Sequence, residues 1–349
     1  MKKALTILLA SLLAATSLFA QGNSEAPKAS DSKHIDTLKV YFVPSREPDE
    51  IITQTAPLSG LLKEKLADEG YTVDKVDIAV GTSYEAVGVA LTAGTIDVGF
   101  IPASTYIQYS PMGADVLLTA TRAGLNNDSE NPVDWNNNKP TTGDSSNQVG
   151  YYRSLIIAGP SAEGRALAAK INAGEELSWD DLNGAKWGLM SPTSSAGYVY
   201  PTIWLQNKFG QDKTVLDLAT AVQCDSYGSG FARLASQQID VLCIYADARR
   251  DYVSKWTSSL GRTNSIWDET DVIGVTAPIV NDTISVSDNS PIMSEGFKAA
   301  LQDAFISIAQ TEEGKKIIAI YSHQGYIKAQ DADYDNTRKA NELMKSMSK

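Results

Sequence analysis

The run Gly94-Thr95-Ile96-Asp97-Val98-Gly99 has a counterpart in Gln238-Ile239-Asp240-Val241-Leu242-Cys243. The likeness implies one supersecondary unit used twice, which restricts the chain to folds with two similar halves. Asp97 and Asp240, each placed just ahead of an apolar strand, read as structural residues. Around the first copy the pattern alternates. Thr37 to Val43 is a strand, and Leu58, Leu61, Leu62 and Leu66 follow a helical period that Gly70 stops. Tyr71 to Val80 is a second strand, and Gly81-Thr82-Ser83-Tyr84 opens a helix that ends at Gly94. Ile96 to Ile101 is a third strand, and Pro102-Ala103-Ser104-Thr105-Tyr106 starts another helix. This β-α-β-α-β-α order predicts a parallel, doubly wound sheet, with helix starts at the strand ends where such sheets bind ligands.

The second copy repeats the plan. Gly150 to Ala158 is a strand, Ala162 to Ala173 a helix, Trp179 to Leu182 a helical turn and Trp187 to Met190 a strand. Tyr198 to Phe209 is a helix closed by Gly210, and Thr220 to Asp225 a strand. The turn Ser226 to Gly230 then leads into a helix from Phe231 to Gln237 and a strand from Ile239 to Tyr245. Val272 to Pro278 reads as a return strand, followed by helices near 293–310, 312–322 and 335–347. The polar segment 124–150 reads as a peripheral surface excursion. The expected organisation is α/β with two doubly wound lobes on a two-strand hinge near 151–158 and 272–278. The first lobe comprises 38–152 and returns at 274–349, and the second comprises 153–273.

Lys2 and Lys3 precede an apolar run from Ala4 to Leu13 and a small residue, Ala20. This is an export leader over 1–20, too short to span a bilayer, followed by a flexible tether over 21–37. No cysteine stands after the apolar run to carry a lipid anchor. The net charge of −12 argues against nucleic acid or an anionic membrane as partner. Any anion site must therefore be local, built from dipoles and hydroxyls. Two cysteines and two histidines are too few for a Cys/His zinc site, and no cofactor is expected.

The stretch Met190-Ser191-Pro192-Thr193-Ser194-Ser195-Ala196-Gly197-Tyr198 joins an apolar strand to a helix. Its hydroxyls and free N–H groups converge at a helix start, which suits a phosphate-like or carboxylate anion. A plain serine-rich N-cap is the alternative. Tyr84 and Tyr152 are candidate phenolic donors at the cleft edge. Ser104 and Thr105 are contacts or caps, and Arg153 is either an anion clamp or a salt-bridged strand residue.

With these residues in view, the sequence resembles the phosphonate-binding proteins of ABC importers, from about Leu38 to Arg338. The matching pieces are Ser194-Ser195-Ala196-Gly197-Tyr198…Pro201, Thr82-Ser83-Tyr84, Ile96-Asp97-Val98-Gly99-Phe100, Tyr151-Tyr152-Arg153-Ser154 and Asp331-Ala332-Asp333-Tyr334-Asp335…Arg338. The resemblance implies the two-lobed type II periplasmic-binding fold. It also implies a phosphonate, phosphite or phosphate-type oxyanion held at Ser194, Ser195, Ala196 and Gly197. Ala196 stands where the family has a third hydroxyl, and Tyr227 where it usually has a histidine. Asp247 corresponds to the family's acidic residue for a substrate amine. The implied partners are a membrane permease and an ATPase, the chain acting as a monomer.

Two other functions are weighed. One is a binding protein for a different small anion or a phosphate ester. The other is a secreted serine hydrolase, but the Gly-x-Ser-x-Gly elbow is absent and neither His34 nor His323 is placed as a serine's partner. Cys224 and Cys243 are expected to be unbonded. The strand at 187–190 should separate theirs, leaving them roughly 9–10 Å apart, beyond disulfide reach.

Overall fold

The computed structural model describes residues 32–346; the leader and most of the tether lie outside the described residues. Twelve strands are described. The first lobe starts with β1 (His34–Phe42), β2 (Thr72–Val80), β3 (Val98–Ile101), β4 (Ala114–Leu125) and β5 (Gly143–Val149). The second contains β6 (Tyr151–Ala158), β7 (Lys186–Leu189), β8 (Thr220–Gln223), β9 (Val241–Tyr245) and β10 (Asp271–Val280). The chain then returns to the first sheet with β11 (Thr283–Ser287) and β12 (Gly325–Lys328). The strand orders are β12-β4-β11-β3-β1-β2, with β5 beside β4, and β10-β6-β9-β7-β8.

The two sheets share a plan. β1 lies between β2 and β3, and β7 between β8 and β9, all parallel. β11 pairs antiparallel with β3, and β6 antiparallel with β9. Both sheets are thus mixed rather than wholly parallel, because β11 runs against β3 in the first and β6 against β9 in the second. The aspartates of the repeat play identical roles. Asp97 Oδ2 accepts from Lys39 N at 2.8 Å and Asp240 Oδ2 from Lys186 N at 2.8 Å. Each carboxylate thereby fixes the register of the central strand next to it. The preceding helix ends also correspond, with Gly94 and Gln237 at φ 67° and 61°. Glycine takes that left-handed turn at little cost, whereas Gln237 is strained there.

Packing follows from the patterning. In β1, Leu38, Val40 and Phe42 face inward at 0–2% exposure while their neighbours face out. Leu58, Leu62 and Leu66 form the buried stripe of the helix Leu58–Asp68. All five residues of β9 are buried, because helices cover both faces of the second sheet. Each such side chain contributes about 1.5–3 kcal/mol when fully buried.

Four expectations are corrected. β1 begins at His34, so the tether is shorter than 21–37. β10 stays paired with β6 as far as Val280, so the return to the first lobe falls at 281–283 rather than 274. The excursion at 124–150 is not peripheral. Trp135 is buried in the core of the second lobe, and Asn136 exchanges two hydrogen bonds with the backbone of Val272 (2.7 and 2.9 Å). Finally, the helix expected from Tyr198 begins as a π-type turn, Ser195–Val199, and becomes α-helical at Tyr200. The crossings between lobes lie side by side. Asn281 N donates to Gly150 O at 3.1 Å, and Arg122 holds Asn281 Oδ1 at 2.9 Å and Asp282 Oδ2 at 2.8 Å.

Candidate functional site

The turn after β7 is shaped by close packing. Met190 N donates to Gly197 O at 3.1 Å. A Cβ on Gly197 would lie 2.2 Å from Met190 Cγ, so only glycine lets the chain approach this closely. Ser194 caps the turn, its Oγ accepting from Gly197 N at 3.2 Å. The N–H groups of Ser195 and Ala196, at the start of the turn, have no partner among the described residues.

Ser194 and Ser195 face a small cavity between the lobes, about 40 Å³ in volume. From the second lobe, Tyr152, Tyr227 and Tyr245 also line it; from the first, Ser45, Arg46, Tyr84, Arg122 and Tyr321 do, together with Asp282 at the crossing. Burial pushes the phenols of Tyr84, Tyr152, Tyr227 and Tyr245 up, so at neutral pH they remain protonated donors. The hydroxyls of Tyr84 and Tyr152 have no hydrogen-bond partner among the described residues. Tyr84 and Tyr227 are structural equivalents. Each is the first residue of a helix capped by the preceding serine, Ser83 or Ser226, and each follows the outer strand of its sheet.

Two guanidinium groups flank Tyr245: Arg46 at 4.6 Å from the ring centroid and Arg122 at 5.8 Å. Each is already paired, Arg46 with Asp251 at 2.8 Å and Arg122 with Asp282 at 2.8 Å. Burial works to raise the Asp282 carboxyl, but Arg122 and His323 outweigh it and hold it below its ordinary range. Burial pulls the His323 imidazole down, against the pull of Asp282 at 3.2 Å, so the ring is neutral at neutral pH. An anion here meets phenols, backbone dipoles and compensated cations rather than a bare positive charge.

The lobes touch through a set of polar ties. Glu85, half-buried on the first lobe, accepts from Ser191 Oγ at 2.5 Å, Thr193 Oγ1 at 3.0 Å and Thr193 N at 3.2 Å. Glu47 accepts from Ser226 Oγ at 2.5 Å. Ser195 Oγ donates to Ser104 Oγ at 3.0 Å and accepts from Ser104 N at 3.0 Å. Thr105 Oγ1 donates to Thr193 O at 3.1 Å. The structure is therefore a closed one.

Of the residues singled out in the sequence, Tyr84, Tyr152, Ser194, Ser195 and Tyr227 meet at this cavity. Ser104 and Thr105 tie the lobes together. Ala196 and Gly197 lie behind the cavity wall, Ala196 O accepting from Ser154 Oγ at 2.6 Å. Arg153 pairs with Asp128 at 2.9 Å and Glu130 at 3.2 Å, away from the cavity. Asp247 is also elsewhere: both its oxygens are engaged by Arg249 at 2.8 Å, and Oδ2 accepts from Thr141 at 2.9 Å. Its charge is already paired by Arg249 and its side chain is wholly buried, so it presents no free carboxylate to a substrate amine. Sequence reading missed Ser45, Arg46, Arg122, Tyr245, Asp282 and Tyr321. One signal was present for the equivalence of the tyrosines: Tyr84 and Tyr227 stand at the same spacing ahead of Asp97 and Asp240.

Two α/β lobes of shared topology, joined by paired crossings and closed over a polar cavity, define a periplasmic binding protein of type II architecture. Solved structures agree on that fold. A binding protein component of an ABC phosphonate transporter from Pseudomonas aeruginosa aligns with a TM-score of 0.62 at 14% identity, over 90% of this chain and 88% of that one. A Prochlorococcus marinus protein in complex with methylphosphonate aligns at 0.60 and 15%, over 89% and 98%. A Xanthomonas citri protein bound to ATP aligns at 0.61 and 13%, over 90% and 98%. A comparison of the sequence with curated proteins finds no match. The chain belongs to the family of phosphonate ABC transporter periplasmic substrate-binding proteins, whose profile it matches over residues 40–334. Among the described residues no helix is long and apolar enough to cross a membrane.

Proposed function

We propose that the cavity captures a phosphonate, phosphite or phosphate-type oxyanion between the lobes, for delivery to the permease and ATPase of an ABC importer. The observation that carries this reading is the unspent donor set in an enclosed space. It comprises the phenols of Tyr84 and Tyr152 and the N–H group of Ser195. These donors face the cavity without a protein partner, so an oxyanion bound there can take them up without breaking an existing bond. In this reading the export leader at 1–20 delivers a monomer outside the cytoplasm.

The protein is read as a carrier rather than a hydrolase. Ser194 Oγ serves as a cap and the Ser195 hydroxyl bonds to Ser104, while His323 faces Asp282 and Tyr326. Neither serine has a histidine base.

The test is calorimetry with methylphosphonate, phosphite, phosphate and sulfate. Ser194→Ala, which removes a hydroxyl lining the cavity, should weaken binding of the preferred anion about ten- to a hundredfold, from about 1.5–3 kcal/mol per charge-assisted hydrogen bond. Unaltered binding by this variant would move the anion elsewhere. No binding of any phosphorus oxyanion by wild type would reject the substrate class.

A further inference from the structure

Beside the inner cavity lies a much larger space, about 420 Å³, between the β4–β5 arm of the first lobe and the helix Arg249–Ser258 of the second. The two spaces share Arg122, Tyr152 and Tyr245 in their walls. Leu125, Trp135 and Val149 give the outer chamber apolar surface. Its charged side chains are nearly all accounted for. Asp247 is held by Arg249, Asp251 by Arg46, Asp128 by Arg153, and Arg122 by Asp282.

Arg250 is the exception. It lines the chamber, yet its guanidinium has no carboxylate within 4.0 Å and no hydrogen-bond partner among the described residues. It reaches across to the arm, where a Cβ on Gly143 would lie 2.9 Å from its Nη2. Among the described arginines, only Arg233 and Arg250 lack a carboxylate, and only Arg250 of these two lines a cavity. In a chain of net charge −12, a guanidinium left unpaired at the wall of a chamber marks a place for an anionic group from outside.

We propose that the outer chamber is a second subsite, holding the body of a phosphonate that carries a carboxylate on a short carbon chain, with Arg250 as the partner of that carboxylate. The proposal rests on the reading of the inner cavity as the oxyanion site. The phosphoryl head sits in the inner cavity. The chain runs along the seam of Arg122, Tyr152 and Tyr245, and its methylenes cover the apolar wall. The carboxylate meets the guanidinium, a planar fork suited to bidentate pairing. Asp247, committed to Arg249 and Thr141, supplies no competing recognition of an amine.

The experiment is calorimetry of the whole chain with three probes: methylphosphonate, 3-phosphonopropionate and 2-aminoethylphosphonate. The expected result is that 3-phosphonopropionate binds at least about tenfold tighter than methylphosphonate, and that the amine binds no tighter than methylphosphonate. Arg250→Gln should abolish the advantage of the carboxylate and leave methylphosphonate affinity within about twofold. Arg250→Lys, which keeps the charge, should restore part of the advantage. Equal binding of the three probes, or a preference for the amine, would overturn the proposal. So would an Arg250→Gln variant that weakens all three alike, since Arg250 would then be structural. Failure of wild type to bind any of the three would instead remove the oxyanion reading of the inner cavity, and this subsite with it.

Discussion

Removing the carboxylate of Glu85 should open the protein. Apart from its own backbone, the Glu85 carboxylate bonds only across the cleft, in three hydrogen bonds from Ser191 and Thr193. Three hydrogen bonds to an ionised group at about 1.5–3 kcal/mol each set an upper limit. The carboxylate is half-buried, however, and regains water when the lobes part, so about 2–3 kcal/mol in total is the working figure. That is about 30- to 150-fold in the closed-to-open ratio. Because ligand binds the closed form, Glu85→Ala should weaken the affinity for methylphosphonate by up to that factor, the full amount being reached where the open form dominates without ligand. Glu85→Gln keeps one acceptor and should lose about half as much free energy. Burial works to raise the Glu85 carboxyl, but the hydrogen bonds from Ser191, its own backbone and Thr193 hold it below the ordinary range. A lowered carboxyl contributes its stabilisation above the ordinary glutamate value and loses it as pH falls through the lowered one. The Glu85 ties should therefore be fully present at neutral pH and fail only in acid. Calorimetry gives the affinity, and X-ray scattering with and without ligand gives the closure. If Glu85→Ala binds as tightly as wild type and shows the same radius of gyration, the carboxylate does not hold the lobes together.

Tyr84→Phe and Tyr152→Phe should each weaken oxyanion binding about ten- to a hundredfold, from about 1.5–3 kcal/mol per hydrogen bond to a charged acceptor; unchanged titrations would mean the phenols point away from the ligand. Gly197→Ala places a methyl carbon 2.2 Å from Met190 Cγ and should cost about 1–3 kcal/mol by overpacking. Scanning calorimetry would show this as a lower Tm, and an unshifted Tm would mean that the turn yields freely. His323 titrates below its ordinary value in the folded chain, so the unfolded chain takes up its proton first as pH falls. Stability should thus decline as pH drops through and below about 6.5, and His323→Gln should flatten that slope in pH-dependent denaturation; an unaltered slope contradicts the assignment. Cys224 and Cys243 lie at the end of β8 and on β9, with β7 between those strands, and neither is bonded. Thiol titration of the denatured, unreduced chain should therefore find two thiols, and a mass two units low would contradict the strand order.

The two-lobed plan was legible because apolar strands, helix stops and the Ile-Asp-Val repeat are local signals. The turn at Ser194 was legible for the same reason: a short strand, hydroxyls and a glycine are contiguous in the chain. β11 was not. Its residues Thr283, Ser285 and Ser287 are wholly buried, but hydroxyl side chains carry no apolar strand signal, and theirs are satisfied inside. Thr283 and Ser285 bond to each other at 2.6 Å and Ser287 donates to Leu91 O at 2.5 Å. β5 is exposed and without an apolar side chain from Gly143 to Gln148, and exists through its pairing with β4. Arg46 and Arg122 were missed because their partners Asp251 and Asp282 are distant in sequence. Arg153 had a neighbouring tyrosine and a matching motif in its favour, yet it faces away from the cavity. Asp247 was named as a free acid, and the adjacent Arg249 closes on it.

The grip of Arg122 on Asn281 and Asp282 sits where the chain passes back from one lobe to the other, while the same guanidinium forms part of the cavity wall. If the cavity holds the ligand as proposed, sensor and axle are one group. A ligand that draws Arg122 toward itself changes the load on the axle directly, with no relay through intervening residues. Chemistry at this point cannot be retuned for a new cargo without also resetting how readily the molecule swings. Substitutions at Arg122 and at the ligand's other contacts should accordingly be non-additive, and a change of cargo is more easily accommodated at positions such as Tyr84, which stand clear of the axle.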